Sequence, residues 1–275
     1  LSKPPPVILT IAGHDPSAGA GILADIKTIS AFGCYGVAAV TSVTFQNTQG
    51  VFGARHLSRE EVRRQIEPLF DDFEIAAVKT GMLPTTEIIE EVASMLAFAG
   101  VPHVVVDPVV RSTSGYDLID DVALRALIRL LFPLASVVTP NAAETERITG
   151  IRAIELSDMK RGGEALLKLG AHAALVKGGD IASEAATDLL VDHFGATPFT
   201  SERIKSKSTH GTGCTLSSAL ASLLARGNSL RESVPIAKQY ITRGIRTAPS
   251  LGAGHGPLSH FPHFTLEGFD PANHK

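Results

Sequence analysis

Cysteine is scarce: Cys34 and Cys214 are the only two in 275 residues. Two thiols cannot build a disulfide framework or a multi-cysteine zinc site, so a reducing, cytoplasmic setting is the simplest expectation. An excess of one charge is missing too, with 25 Lys and Arg against 28 Asp and Glu and a formal net charge of −3. That balance argues against a nucleic-acid binder that works by neutralising phosphates, though not against a small anionic ligand. The longest apolar runs, such as 37–45 and 104–110, are far too short to span a bilayer, so no membrane role is expected. Leu1 to Pro6 lacks the basic-then-apolar order of a signal peptide. No G-x-x-x-x-G-K-[ST] occurs, which excludes a P-loop. Linkers, charge blocks and internal repeats are also missing, so one domain over 1–275 is expected, with flexible ends at 1–6 and 264–275. The 44% of apolar residues and 19% of charged ones suit a folded chain with a sizeable core.

Short β-branched runs recur at Val7 to Ile11, Val37 to Phe45, Ala76 to Val78, Val104 to Val106, Ser136 to Val138 and Ala173 to Val176. Continuous apolar runs of this length suit strands buried on both faces. Between them, Glu87 to Phe98 and Asp120 to Leu131 carry apolar residues at helical spacing. Alternation with short loops predicts βαβ units and a mostly parallel sheet flanked by helices, an α/β fold. Thr187 to Val191 and Thr200 to Ile204 read as a small antiparallel pair joined near Phe194 to Thr197, followed by helices over Gly213 to Ala225 and Leu230 to Arg246. In an open parallel sheet, ligands bind beyond the carboxyl ends of the strands. Polar groups follow the runs six times: Gly13-His14-Asp15, Gln46-Asn47, Lys79 to Met82, Asp107-Pro108, Thr139 to Asn141 and Lys177 to Asp180.

Gly19-Ala20-Gly21-Ile22-Leu23-Ala24 fits G-x-G-x-x-A, but the next strand ends in Gln46-Asn47. A dinucleotide site needs an acidic residue there, so the glycines read better as close helix–sheet packing. His210-Gly211-Thr212-Gly213-Cys214-Thr215 opens a helix. Convergent backbone N–H groups and the helix field would make an anion hole for a phosphoryl group; spacing alone equally allows a plain turn with Cys214 as packing. In a first helical turn, Cys214 is expected to have a lowered pKa and to accept a proton from a substrate hydroxyl. Cys34 reads as a packing residue. Asp107 and the N-x-x-E of Asn141 to Glu144 could face a hydrated Mg²⁺, or the latter could be an ordinary helix cap. His255, His260 and His263 lack Cys or acidic partners nearby and read as a solvent-facing or loop-packing tail rather than zinc ligands.

An ordered set of segments resembles the hydroxymethylpyrimidine/phosphomethylpyrimidine kinases of the ribokinase-like superfamily. It runs through Ala12 to Ile22, Ala24 to Thr28, Phe45 to Thr48, Lys79 to Leu83, Asp107 to Val109, Thr113 to Gly115, Thr139 to Glu144, Val176 to Gly179, Gly211 to Thr215, Ala237 to Tyr240 and Gly254 to Leu258. The resemblance implies a ribokinase-like three-layer fold and ATP-dependent phosphorylation of 4-amino-5-hydroxymethyl-2-methylpyrimidine, then of its monophosphate. It implies Cys214 as base, with Gly211, Thr212 and Gly213 forming the anion hole. Asp25 and Gln46 would hold the pyrimidine's amino group and ring nitrogens, while Met82, Val109 and Gly13 would line its pocket. Lys177 and Lys238 would lie near ATP, Asp107 and Glu144 would hold Mg²⁺ largely through water, and the protein would be a homodimer. His14 replaces a common Ser, and Phe45 replaces a common Ala next to Gln46. A cysteine-type pyridoxal kinase, which shares fold and motif, is the alternative. A ligand sensor without turnover and a dehydrogenase stand further off.

Overall fold

A computed structural model of the protein describes residues 4–111, 115, 117–179, 181 and 184–261. Thr113, Ser114, Asp180, His263 and the end segments 1–3 and 262–275 lie outside the described residues. In chain order the elements are β1 (Val7–His14), α1 (Gly21–Ala31), β2 (Tyr35–Asn47), β3 (Gly50–His56), α2 (Arg59–Asp72), β4 (Ile75–Thr80), α3 (Thr86–Ala99), β5 (Val104–Val106), α4 (Asp121–Leu131), β6 (Val137–Val138), α5 (Ala142–Thr149), α6 (Leu156–Lys168), β7 (Ala174–Val176), β8 (Ala185–Asp192), β9 (Gly195–Glu202), α7 (Thr212–Ala225) and α8 (Leu230–Arg246).

The strands form one sheet in the order β3-β2-β1-β4-β5-β6-β7-β8-β9. β2, β1, β4, β5, β6 and β7 run parallel, so their carboxyl ends share one edge. β3 pairs antiparallel with β2, and β8 and β9 extend the other end antiparallel. The apolar runs are continuous because alternate side chains enter two cores. Leu9, Ile11, Val104, Val106 and Val138 pack with Val62 and Ile66 of α2, Ile88 and Val92 of α3 and Leu127 of α4. Ile8, Val105, Val137 and Leu175 pack on the other face with Ile29 of α1, Leu216 and Leu220 of α7 and Val234 of α8. Cys34 is buried in this second core, as its sequence context predicts. Among the described residues, no helix is long and apolar enough to cross a membrane.

Two details differ from the sequence expectation. The antiparallel pair turns at His193-Phe194, with Asp192 opposite Gly195, so β9 begins earlier than Thr200. β3 was not anticipated: it lies at the sheet edge, is half-buried along most of its length and contains Gly50 and Gly53, which removes the alternation that marks a strand.

His260 anchors the last described segment to α7. Its Nε2 lies 3.3 Å from Thr215 Oγ1, and its carbonyl accepts a bond from the Tyr240 hydroxyl. His255 is exposed, so the two described tail histidines divide between packing and solvent. Burial pushes the His260 imidazole down to about 4, and Lys27 adds to the effect. Below its usual value near 6.5, the unfolded chain therefore binds a proton that the folded chain refuses. Stability is expected to fall as pH drops from about 6.5 to about 4, by up to ~1.4 kcal/mol per pH unit from this residue. Urea unfolding at pH 7 and pH 5 checks this: His260→Asn should lose that part of the slope.

Candidate active site

Six strand ends place polar groups along the shared edge. Asp107 follows β5 and is buried; its Oδ1 accepts bonds from Thr139 Oγ1 at 3.0 Å and from Lys177 Nζ at 3.1 Å. Lys177 follows β7 and lies 4.0 Å from Glu144 Oε2. Burial works to lower the Lys177 pKa, but Asp107 and Glu144 outweigh it and hold the ammonium above its ordinary range. Glu144 fills the capping role its motif offered, and its side chain also faces a lysine. Asn141 and Glu144 form a capping box at the start of α5, with the Asn141 N–H donating to Oε2 at 2.8 Å. The same carboxylate faces Lys177. Burial pushes Glu144 up to about 7, Lys177 pulls it down and the Asp107 charge pushes it up.

Two buried carboxylates thus share one lysine. The donors are hard oxygens, and one ammonium faces both carboxylates, so a further cation fits here. Mg²⁺ suits such a pair because it keeps several waters and needs few protein ligands. Among the described residues no group of three or more His, Cys, Asp or Glu side chains converges, so water and phosphate would supply the other ligands.

The glycine turn stands against this cluster. A Cβ on Gly213 would lie 3.2 Å from Lys177 Nζ and 3.7 Å from Asp107 Oδ2. Gly211 caps α7 without a side-chain bond. The N–H groups of Gly213 and Cys214 have no acceptor among the described residues. Unpaired donors at a helix start beside a lysine make an anion cradle. Gly211 also has φ +80°, and a Cβ there would collide with the Gly19 carbonyl. The first glycine cluster is explained by the same contact. A side chain on Gly19 would strike His210, and one on Gly21 (φ +56°) would strike the Gly13 carbonyl. These glycines let the β1–α1 loop touch the α7 turn, and they form no dinucleotide fingerprint. Gly211→Ala is expected to destabilise the fold by at least ~1–3 kcal/mol, seen as a lower urea midpoint.

Asp15 and His210 fasten the two loops together. Asp15 accepts bonds from His210 Nε2 at 2.8 Å, Ser17 N at 2.8 Å, Ser17 Oγ at 2.7 Å and Ala20 N at 2.9 Å. Burial would raise its pKa, but bonds from His210, Ser17 and Gln46 hold it far below the usual carboxylate range. The Gln46 amide therefore sits beside Asp15 at the end of β2. Sequence reasoning misses Asp15 and His210 as site residues, although they lie in the segments 12–22 and 210–215.

Cys214 is partly exposed at this junction. Its expected low pKa is corrected by the structure. Burial pushes the thiol up to about 11; Lys79 pulls it down, Asp25 and Asp107 push it up, and the Gly21 N–H pulls it down. The surrounding protein withholds more hydration from a thiolate than these favourable contacts return.

Asp25 is held by protein partners. It is 0% exposed, and its carboxylate accepts bonds from Thr10 Oγ1 (2.6 Å), Ser218 Oγ (2.7 Å) and Lys79 Nζ (2.8 and 3.0 Å). Protein donors fill its oxygens, so in this structure the carboxylate faces Thr10, Lys79 and Ser218. Met82 and Gly13 do meet: a Cβ on Gly13 would lie 3.0 Å from Met82 Sδ. Val109 is half-buried two residues beyond Asp107, and its N–H bonds to the Asp107 carbonyl. Phe45 is 55% exposed and rests on Gly53 of β3, while Thr44 beside it is buried and bonds to the His14 carbonyl. Lys238 on α8 pairs with Asp188 Oδ2 at 2.7 Å, and Asp188 Oδ1 accepts the Gly178 N–H. It reaches the loop after Lys177 through Asp188.

A glycine turn with unpaired N–H groups, backed by one lysine and two acids, suits the handling of a phosphoryl group. Its placement at the carboxyl edge of this sheet order marks the ribokinase-like class of kinases. The family model described as phosphomethylpyrimidine kinase matches residues 15–259. The thiamine biosynthesis bifunctional protein ThiED of Geobacter sulfurreducens is 45% identical over 253 residues, 92% of this chain and 52% of that protein, so the chain spans about half of that relative. The hydroxymethylpyrimidine/phosphomethylpyrimidine kinase of Rhizobium meliloti is 46% identical over 259 residues, 93% of this chain and 97% of that one. Among solved structures, the phosphomethylpyrimidine kinase of Clostridium difficile matches with TM-score 0.78 and 44% identity, covering 87% of this chain and 99% of that chain. The ADP complex of Bacillus subtilis pyridoxal kinase matches with TM-score 0.87 and 34% identity, covering 94% and 98%. The chain belongs to the hydroxymethylpyrimidine/phosphomethylpyrimidine kinase family.

Proposed function

We infer that this chain moves the terminal phosphoryl group of ATP to the hydroxymethyl oxygen of 4-amino-5-hydroxymethyl-2-methylpyrimidine and then to the resulting monophosphate, in thiamine biosynthesis. The observation that carries this reading is the contact of the Gly211–Cys214 turn with Lys177 and Asp107 in a chain of this family.

Phosphoryl transfer passes through a loose transition state with charge on its equatorial oxygens, so positioning and electrostatics do most of the work. The unpaired N–H groups of Gly213 and Cys214 receive those oxygens, and Lys177 adds positive charge. Asp107 and Glu144 would hold Mg²⁺, which would supply positive charge against that of the phosphates. Gly13, Met82, Val109 and Gln46 form the acceptor side, and Lys238 braces the nucleotide side through Asp188. Cys214 accepts the hydroxymethyl proton late, as the new O–P bond forms. The second acceptor is a phosphate monoester, already largely ionised near pH 7, and needs no such base.

Two further parts of the reading are a cytoplasmic location and a homodimer. For the dimer, Val43, Phe45 and Phe52 are exposed on the β2–β3 hairpin, and sedimentation should give twice the 28.9 kDa chain mass.

Pyridoxal phosphorylation is a second reading, favoured by the likeness to the Bacillus subtilis pyridoxal kinase. ADP release over a panel of the pyrimidine alcohol, its monophosphate and pyridoxal, with products weighed by mass spectrometry, separates the two. One and then two phosphoryl groups should appear on the pyrimidine. No pyrimidine product, with or without pyridoxal phosphate, would refute the first reading.

A further inference from the structure

Lys79 is a buried charge for which the reaction described above has no use. It sits in β4, is 0% exposed and donates two of its three N–H bonds to Asp25. Among the described residues no other acceptor bonds to Nζ. Its direction is informative. A Cβ on Gly81, two residues nearer the carboxyl edge, would lie 2.8 Å from Nζ. The side chain therefore runs along the sheet toward the site. Asp25 connects it to α7 through the Ser218 hydroxyl at 2.7 Å. Ser218 is four residues after Cys214, one helical turn below it on the same face. Lysine, aspartate and serine thus form a fully buried polar cluster, joined by Thr10, one turn along α7 from Cys214.

A buried ion pair is costly to keep dry unless it has a task, and hydrocarbon of similar volume often packs there as well. We propose that Lys79 is a positioning residue for Cys214: its ammonium, anchored by Asp25, stabilises the sulfur when that sulfur carries negative charge. This inference rests on the reading of Cys214 as the proton acceptor. Lys79 favours the thiolate and Asp25 opposes it, consistent with their opposite influence on the thiol. The other charged groups around the sulfur are Asp107 from β5 and Lys177 from β7, which bond to each other, and the Asp15–His210 pair of the adjoining loops.

The test is the pH dependence of Cys214 alkylation by iodoacetamide in the full-length protein without substrate, followed on the Cys214 peptide by mass spectrometry. Lys79→Met should slow alkylation at pH 8 about tenfold and move the midpoint up by about one pH unit, whereas Asp25→Asn should speed it about tenfold. Opposite directions are the signature, because a general loosening of the fold would move both variants the same way. Wild-type profiles in both folded variants, or shifts of equal sign, would overturn the proposal. Should either single variant fail to fold, Gly81→Ala keeps both charges and displaces the ammonium. A threefold or larger change in the alkylation rate at pH 8 supports the proposal, and an unchanged rate overturns it. The kinase reading fails separately, on a normal first transfer by Cys214→Ala, whatever the alkylation data show.

Discussion

Cys214→Ala is expected to slow transfer to the hydroxymethyl oxygen by about 10²–10⁴-fold, the usual contribution of a positioned proton acceptor. The second transfer should fall by less than about tenfold, since its acceptor is ionised before it binds. The split matters more than either number. A variant that only distorted the glycine turn would impair both steps together, because both use the same N–H groups. The protonated state of the free thiol adds a pH signature. Burial holds it up to about 11, so the thiolate fraction rises with pH throughout the neutral range. kcat/KM for the first step should climb with pH, up to tenfold per unit, while the second step should not share that slope. Rapid-quench measurement of each step from pH 6.5 to 9.5, in wild type and variant, checks both statements. Equal losses in the two steps would remove Cys214 as the base.

Lys177→Met should be more damaging and less selective. Its ammonium lies against the cradle and between Asp107 and Glu144, so its loss is expected to slow both transfers by at least about 10²–10³-fold. It should also destabilise the protein. Removing one member of a buried charge cluster costs about 3–5 kcal/mol, because the partners stay behind uncompensated. That cost should depend on pH in a defined direction. Glu144 already titrates near 7, above its unfolded value, and without Lys177 it moves further up. The folded variant would then hold a proton that the unfolded chain releases, so its stability falls as pH rises from about 4.5 through and beyond 7. Urea unfolding should show a larger deficit relative to wild type at pH 8 than at pH 6. A deficit independent of pH would mean that Lys177 does not compensate Glu144.

Much of this arrangement is legible in the amino-acid order. The runs at Val104, Val137 and Ala174 are apolar at every position because both sheet faces are covered, and the parallel strands they form place Asp107 and Lys177 on one edge. The start of α8 follows from the capping box of Ser229 and Glu232. What was illegible depends on contacts distant in sequence. Asp15 meets His210 across 195 positions, and Asp25 meets Ser218 across 193. Nothing local to Asp25 shows that Thr10, Lys79 and Ser218 will fill its oxygens. Nothing local to Cys214 gives the burial that outweighs a helix terminus. Helix position is a local property, whereas desolvation is set by every element that packs around the group.

The most direct measurement is a crystal structure with ADP, Mg²⁺, aluminium fluoride and the pyrimidine alcohol. The planar fluoride should lie with its equatorial atoms ~2.7–3.1 Å from the N–H groups of Gly213 and Cys214, with Lys177 in contact and the hydroxymethyl oxygen in line opposite ADP. A fluoride seated away from that turn, or an alcohol oxygen out of reach of the Cys214 sulfur, would contradict the assignment of the cradle.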